Sequence, residues 1–161
     1  MKFQTFFIAI LSPIFFTFSV KGQATEDNKK VILYYLLEII NDRKLDLLGD
    51  VFAEKFVRHN LNDSTDTWMT IADQKKRLSD LFHAFPDFHY SVSDIIAEGD
   101  KVVVRAVFQG TQKNSFMETE STGKRVNISE IIFYRLERGK IVERWTQLDL
   151  YGLFKEMNGQ K

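Results

Sequence analysis

The 161-residue chain sets 22 Lys and Arg against 22 Asp and Glu and has no basic run, which excludes the charge footprint of a nucleic-acid binder. The absence of Cys excludes disulfides, thiolate metal sites and a Cys nucleophile. A 44% hydrophobic and 14% aromatic composition supports one packed core, and the length excludes a two-domain enzyme.

Residues 1–24 have the order of a secretory leader: Lys2, an apolar run from Phe6 to Val20, then the small-residue exit Gly22-Gln23-Ala24. The run is about fifteen residues and holds Ser12 and Pro13, short of the ~20 that cross a bilayer. Cleavage is expected after Ala24, with Gly22 as the alternative site. It would leave no stable membrane anchor and deliver one domain, residues 25–161, to a periplasm or outside the cell.

In that domain, Thr25 is the expected N-cap of a long helix, with Glu26 and Asp27 in its first turn. Val31, Ile32, Tyr35, Leu36, Ile39 and Ile40 then recur at helical spacing. A shorter helix is predicted through Leu45, Leu48, Val51 and Phe52, and a brief strand over residues 55–60. A polar loop, residues 62–66, leads to a third helix that opens on the capping-box spacing Thr70 to Asp73 and stops before Pro86.

Beyond Pro86 the apolar period falls to two, and the chain reads as strands joined by tight turns. A turn at Glu98-Gly99-Asp100-Lys101 sets Ile96 opposite Val103, Asp94 opposite Arg105 and Val92 opposite Val107. The opposite charges at Asp94 and Arg105 support that register. A two-residue turn at Arg138-Gly139 sets Leu136 opposite Ile141, Ile132 opposite Trp145, Glu130 opposite Gln147 and Ile128 opposite Asp149. A three-residue turn would shift this by one and exchange the faces. The two-residue turn is preferred because it matches apolar with apolar. Residues 150–157 close the chain as a short helix or tail. Helices followed by a meander of long strands give an α+β fold, with helices gathered on one side of a curved antiparallel sheet.

Parity on the last hairpin groups Ile128, Glu130, Ile132, Tyr134, Glu143, Trp145, Gln147 and Asp149 on one face. Carboxylates among Ile and Trp suit a ligand pocket, although polar strand ends in water explain them as well. A carboxyl at Asp149 beside Trp145 and Ile128 would lose solvation, which suits it to proton transfer. Asp149 equally fits as the N-cap of the helix starting at Leu150. His59, His83 and His89 lack metal-ligand spacing, so no metal or cofactor is expected. Asn62-Asp63-Ser64 and Asn127-Ile128-Ser129 fit a glycosylation triplet, relevant only to a eukaryotic secretory route. Ile131, Phe133, Val142 and Leu148, on the opposite face, suggest a homodimer.

Several stretches, in order along nearly the whole mature chain, resemble the SnoaL-like polyketide cyclase, or ester cyclase, group of the nuclear transport factor 2-like superfamily. They are residues 56–60 (FVRHN), 85–89 (FPDFH), 98–105 (EGDKVVVR), 110–111 (GT), 121–126 (STGKRV) and 135–145 (RLERGKIVERW), followed by Asp149 and Gly152-Leu153. The resemblance implies a cone-shaped fold, with three N-terminal helices packed on a strongly curved, mainly antiparallel sheet that encloses a pocket. It places Asp149 at the acid/base carboxylate of an intramolecular aldol reaction and His59 at the histidine after the first strand. Trp145, Gln147, Glu130, Ile132, Tyr134 and Ile128 would line the substrate pocket. Two departures stand out. The family's Gly-Thr-His-x-Gly stretch is here Gly110-Thr111-Gln112-Lys113-Asn114, and the loop Ser115 to Ser121 carries Glu118 and Glu120 where the family is usually small and apolar. Separately, Arg105-Ala106-Val107 lacks the Asp that epoxide-hydrolase relatives need. The expected function is an exported protein that binds a small apolar carbonyl compound and catalyses acid/base chemistry of the aldol or isomerisation type without metal or cofactor. The alternative is a non-catalytic binding or interaction module on the same fold.

Overall fold

The computed structural model describes residues 14–61 and 65–158, with side chains from residue 22 onward. The first thirteen leader residues and the Asn62 glycosylation triplet lie outside them. Four α-helices are present among the described residues: α1 (Ile14–Leu33), α2 (Leu48–Val51), α3 (Ile71–Ala84), which follows two strands, and α4 (Leu150–Met157), where a short helix or tail was expected. A π-helical segment, Tyr34–Ile40, continues α1, and a 3-10 turn, Leu45–Leu47, precedes α2. Helix α1 begins before the cap expected at Thr25, because the residues ahead of Thr25 supply helical turns and leave it no free end to cap. No helix among the described residues is long and apolar enough to cross a membrane.

Six strands form one open sheet in the order β2-β1-β6-β5-β4-β3, with β2 and β3 at its edges. They are β1 (Phe52–Asn60), β2 (Thr65–Thr70), β3 (His89–Glu98), β4 (Lys101–Thr111), β5 (Arg125–Glu137) and β6 (Lys140–Leu148). Every neighbouring pair is antiparallel except β1 with β6. Strand β2 begins inside the expected polar loop, at Thr65, and runs through residues for which no strand was expected. Its Thr-rich, Trp-bearing stretch suits a half-exposed pleat, and it folds back on β1 with Asn60 opposite Thr65.

Local chemistry explains most of the boundaries. Thr70 and Asp73 form the reciprocal capping box of α3, and that helix ends at Ala84, two residues before Pro86. Arg138 and Gly139 both take positive φ, as a two-residue type I′ turn requires.

Both hairpins begin in the expected register and then slip. In the first, Glu98, Ile96 and Asp94 face Lys101, Val103 and Arg105, but a bulge at Ser93 sets Val92 opposite Ala106 instead of Val107. In the second, Leu136 faces Ile141, and a bulge at Val142 then sets Arg135 opposite Glu143. The single extra residue moves every later β6 side chain to the other face. Ile132 therefore pairs with Thr146, not Trp145, and Glu130 with Leu148, not Gln147.

The inner sheet face carries alternate β5 residues Val126, Ile128, Glu130, Ile132, Tyr134 and Leu136, all buried. Their β4 partners Phe108, Ala106, Val104 and Val102 are buried as well. Ile32, Tyr35, Leu36, Ile39 and Ile40 from the first helix, with Leu78 of α3, complete the core.

Candidate functional site

An inner face built from β-branched and aromatic residues needs no charge, yet this one buries two. Glu130 is 5% exposed and Arg144 is 4% exposed. Because β5 alternates strictly, Glu130 shares its face with Ile132 and Tyr134, and the bulge at Val142 turns Arg144 to that side opposite Tyr134. The Tyr90 hydroxyl, from β3, donates to Glu130 Oε1. Burial, and then the Glu130 carboxylate, push Tyr90 well above the ordinary tyrosine range, so it stays a proton donor at every physiological pH. The Arg144 guanidinium lies 6.0 Å from the Tyr134 ring centroid. Burial works against its charge, but Tyr134, Tyr35, Tyr90 and Glu130 around it hold its pKa above the usual arginine value.

Helix α3 adds two polar groups from above. Gln74, fully buried, donates to the Tyr35 hydroxyl at 2.7 Å. Arg77, half-buried one turn on, reaches Gln74 Oε1 at 3.4 Å. Burial, with repulsion from Arg144, lowers the Arg77 pKa to about 10. Four buried polar atoms lack a hydrogen-bond partner here: Arg144 Nε and Nη1, the Tyr134 hydroxyl and Thr146 Oγ1. Such orphans are rare in packed interiors, since each costs roughly 1–3 kcal/mol.

The sequence-predicted residues divide among three places. Ile128, Glu130, Ile132 and Tyr134 lie on the inner face as expected. Trp145 and Glu143, expected beside them, lie on the outer face with Phe133 and Arg135, because of the bulge. There His59 is held between Asp66 Oδ1 at 2.7 Å and Glu143 Oε2 at 2.9 Å, and its ring stacks on Trp145 at 4.3 Å. Arg135 pairs with the same Glu143. Burial opposes the Glu143 charge, but Arg135 and His59 keep its carboxyl below the ordinary range. A groove of about 310 Å³ beside this cluster is lined by Leu61, Lys101, Phe133, Tyr134 and Trp145.

Gln147 and Asp149 lie at the strand end. Both are exposed, and they share with Glu130 and Tyr151 the lining of a groove of about 520 Å³. Asp149 Oδ1 accepts the Gly152 N–H at 2.9 Å and caps α4, and no β5 residue stands opposite it, so the expected pairing with Ile128 does not form. Leu148, expected outside, faces inward opposite Glu130, while Ile131 and Phe133 remain exposed outside. His83 and His89 are exposed, and among the described residues no group of three or more His, Asp or Glu could hold a metal.

Sequence reasoning missed Tyr90, Arg144, Gln74, Arg77 and Thr146. The available signal was Glu130 itself, since a carboxylate on a core parity needs a donor from a neighbouring element. Gln112, expected from the resemblance to be a departure from the family, is buried and ties down the following loop. Its amide donates to the Thr119 and Glu120 carbonyls at 3.2 Å and accepts from the Thr122 hydroxyl at 2.7 Å.

Residues 30–157 match the family model for the SnoaL-like polyketide cyclase. Among solved structures, a candidate polyketide cyclase from Acidithiobacillus ferrooxidans aligns over 96% of this chain and 100% of its own, at 20% identity and a TM-score of 0.74. A candidate SnoaL-like polyketide cyclase from Jannaschia sp. CCS1 covers 85% of this chain and 95% of its own, at 21% identity and a TM-score of 0.75. IdmH, a candidate polyketide cyclase from Streptomyces antibioticus, is 27% identical over 81% of this chain and 98% of its own, with a TM-score of 0.69. No curated protein matches the chain.

Proposed function

Because the chain belongs to the SnoaL-like polyketide cyclase family, we propose that it binds a small, largely apolar carbonyl compound between the inner sheet face and helices α1 and α3, and that Glu130 moves a proton on it. The observation that carries this reading is a carboxylate buried on an otherwise apolar face with a tyrosine aimed at it.

The chemistry follows from what surrounds Glu130. As the acceptor of the Tyr90 hydroxyl, its carboxylate can take a proton from carbon next to the substrate carbonyl. That C–H bond breaks and an enolate forms. The Thr146 hydroxyl, buried and unpartnered on the same face, supplies a donor for the enolate oxygen, in an interior where such a donor acts more strongly than in water. Attack of the enolate carbon on a second carbonyl of the same molecule closes a ring, and the proton held by Glu130 passes to the new alkoxide. Without that second carbonyl, return of the proton at another carbon gives an isomerisation.

Asp149, the first candidate from sequence, is a poorer base because it is exposed and engaged as a cap. That engagement favours a second reading, in which the same interior binds a ligand without turnover. Solvent-deuterium exchange into a panel of small diketones, followed by NMR, separates the two readings. Glu130→Gln is expected to lose exchange by about 10²- to 10⁴-fold while Asp149→Asn retains it. A wild-type protein that binds the panel but exchanges no deuterium supports the binding module.

Export belongs to the same proposal. Lys2, the apolar run and the Gly22-Gln23-Ala24 exit support it. The mass of the mature N-terminus, recovered from the medium or periplasm, tests it.

A further inference from the structure

Resting on the reading of the interior as the ligand site, we propose that its ligand carries, besides the reacting carbonyl, an anionic carboxylate on a small apolar body, received by Arg144 with help from Tyr134. The charge balance of the inner face is the first observation. Arg144 and Arg77 bring two guanidiniums to one region, close enough to repel each other. Glu130 is the one acidic residue buried there among the described residues, and its Oε1 is already engaged by Tyr90. An interior with more cations than anions is unfavourable unless something negative enters it.

Hydrogen bonding gives the second, independent observation. Arg144 Nε and Nη1, the Tyr134 hydroxyl and Thr146 Oγ1 are buried and unpartnered. Arg144, Tyr134 and Thr146 share the inner face of the β5–β6 pair: Tyr134 sits directly opposite Arg144, and Thr146 is two residues along β6. The two Arg144 nitrogens can only donate and the two hydroxyls can donate freely, and none of the four is matched by an acceptor. A carboxylate supplies two oxygens with about four acceptor positions and takes two N–H groups from one guanidinium. The walls beyond are Ile132, Val104 and Ala106, which suit an apolar body and leave little to solvate a second charge.

The alternative within the same chemistry is a bare inorganic anion. Charge alone would recognise it, but the apolar walls would contribute nothing to its binding.

Titration of the protein with benzoate, benzamide and inorganic phosphate, observed at the Arg144 side-chain Nε–H NMR resonance, tests the proposal. Arg144→Lys provides the assignment. Benzoate is expected to shift that resonance and to bind about tenfold more tightly than benzamide or phosphate. Tyr134→Phe, a variant expected to fold, should weaken benzoate selectively. Glu130→Gln removes the competing carboxylate, so it should tighten benzoate and leave benzamide unchanged. Equal shifts from benzoate and benzamide overturn the carboxylate proposal while the interior remains a ligand site. Phosphate binding as tightly as benzoate overturns the apolar body. Silence of the resonance to all three overturns both the proposal and the reading beneath it.

Discussion

Strands β5 and β6 present two opposite faces, and those faces handle charge in opposite ways. Outside, His59, Asp66, Glu143 and Arg135 form a closed network at 2.7–2.9 Å around the imidazole, stacked on Trp145. Inside, Arg144, Tyr134 and Thr146 are left with unpartnered atoms beside a single carboxylate. A satisfied network in partial contact with water contributes modest stability and has no vacant donor to offer. An unsatisfied one in a dry interior costs stability, and such strain is characteristic of sites that bind. The proposed chemistry is therefore assigned to the inner face, although His59 and Trp145, both expected at the site, lie outside.

The sharpest way to break this contrast is Glu130→Leu. Removing the buried carboxylate leaves Arg144 and Arg77 without a counter-charge, and a loss of about 3–5 kcal/mol is expected in urea unfolding. A loss below ~1 kcal/mol would mean that the inner charges do not form a unit. Asp149→Ala is next: it removes the α4 cap and should cost about 1 kcal/mol, with no effect on inner-face ligand binding. Tyr134→Phe should act in the other direction. Deleting an unpartnered buried hydroxyl is expected to leave stability unchanged or raise it by up to ~1 kcal/mol, which a thermal melt resolves.

The smallest effect belongs to the outer network. Glu143 has a lowered pKa, so its contribution is complete above the ordinary glutamate value of 4.5 and disappears as the pH falls through the lower folded value. Glu143→Gln should flatten the acid limb of a stability–pH curve by less than ~1 kcal/mol. An acid limb unchanged by this substitution would assign the acid sensitivity to other carboxylates.

Much of the fold was legible because local chemistry determines it. The Thr70–Asp73 capping box, the stop before Pro86 and the positive-φ turn at Arg138-Gly139 are each governed by a few adjacent residues. So is the start of both hairpin registers. The site was less legible because its geometry depends on one residue, Val142. Apolar Val142 can sit on either face or in a bulge, and nothing in the alternation distinguishes these. Reading through it without a bulge put Trp145 inside and Arg144 in solvent, which is the cheaper arrangement for an isolated strand. The fold reverses that preference because Arg144 finds Tyr134, Tyr35, Tyr90 and Glu130 around it. These neighbours come from three different elements, and no spacing in the sequence brings them together.

The parallel β1–β6 pairing has a consequence for the order of events during folding. His59 and Glu143, joined across it, are 84 residues apart in the chain. Strands β3 and β4 can zip through a tight turn and β5 can add to them across the loop of residues 112–124, but β1 and β2 have no place in the sheet until β6 exists. Closing so long a loop before any contact rewards it slows folding. A chain in which β6 has not yet formed would hold the β1–β2 ribbon unattached, with its hydrogen-bonding edge open. Completion of the sheet is thus a late step that waits for β6.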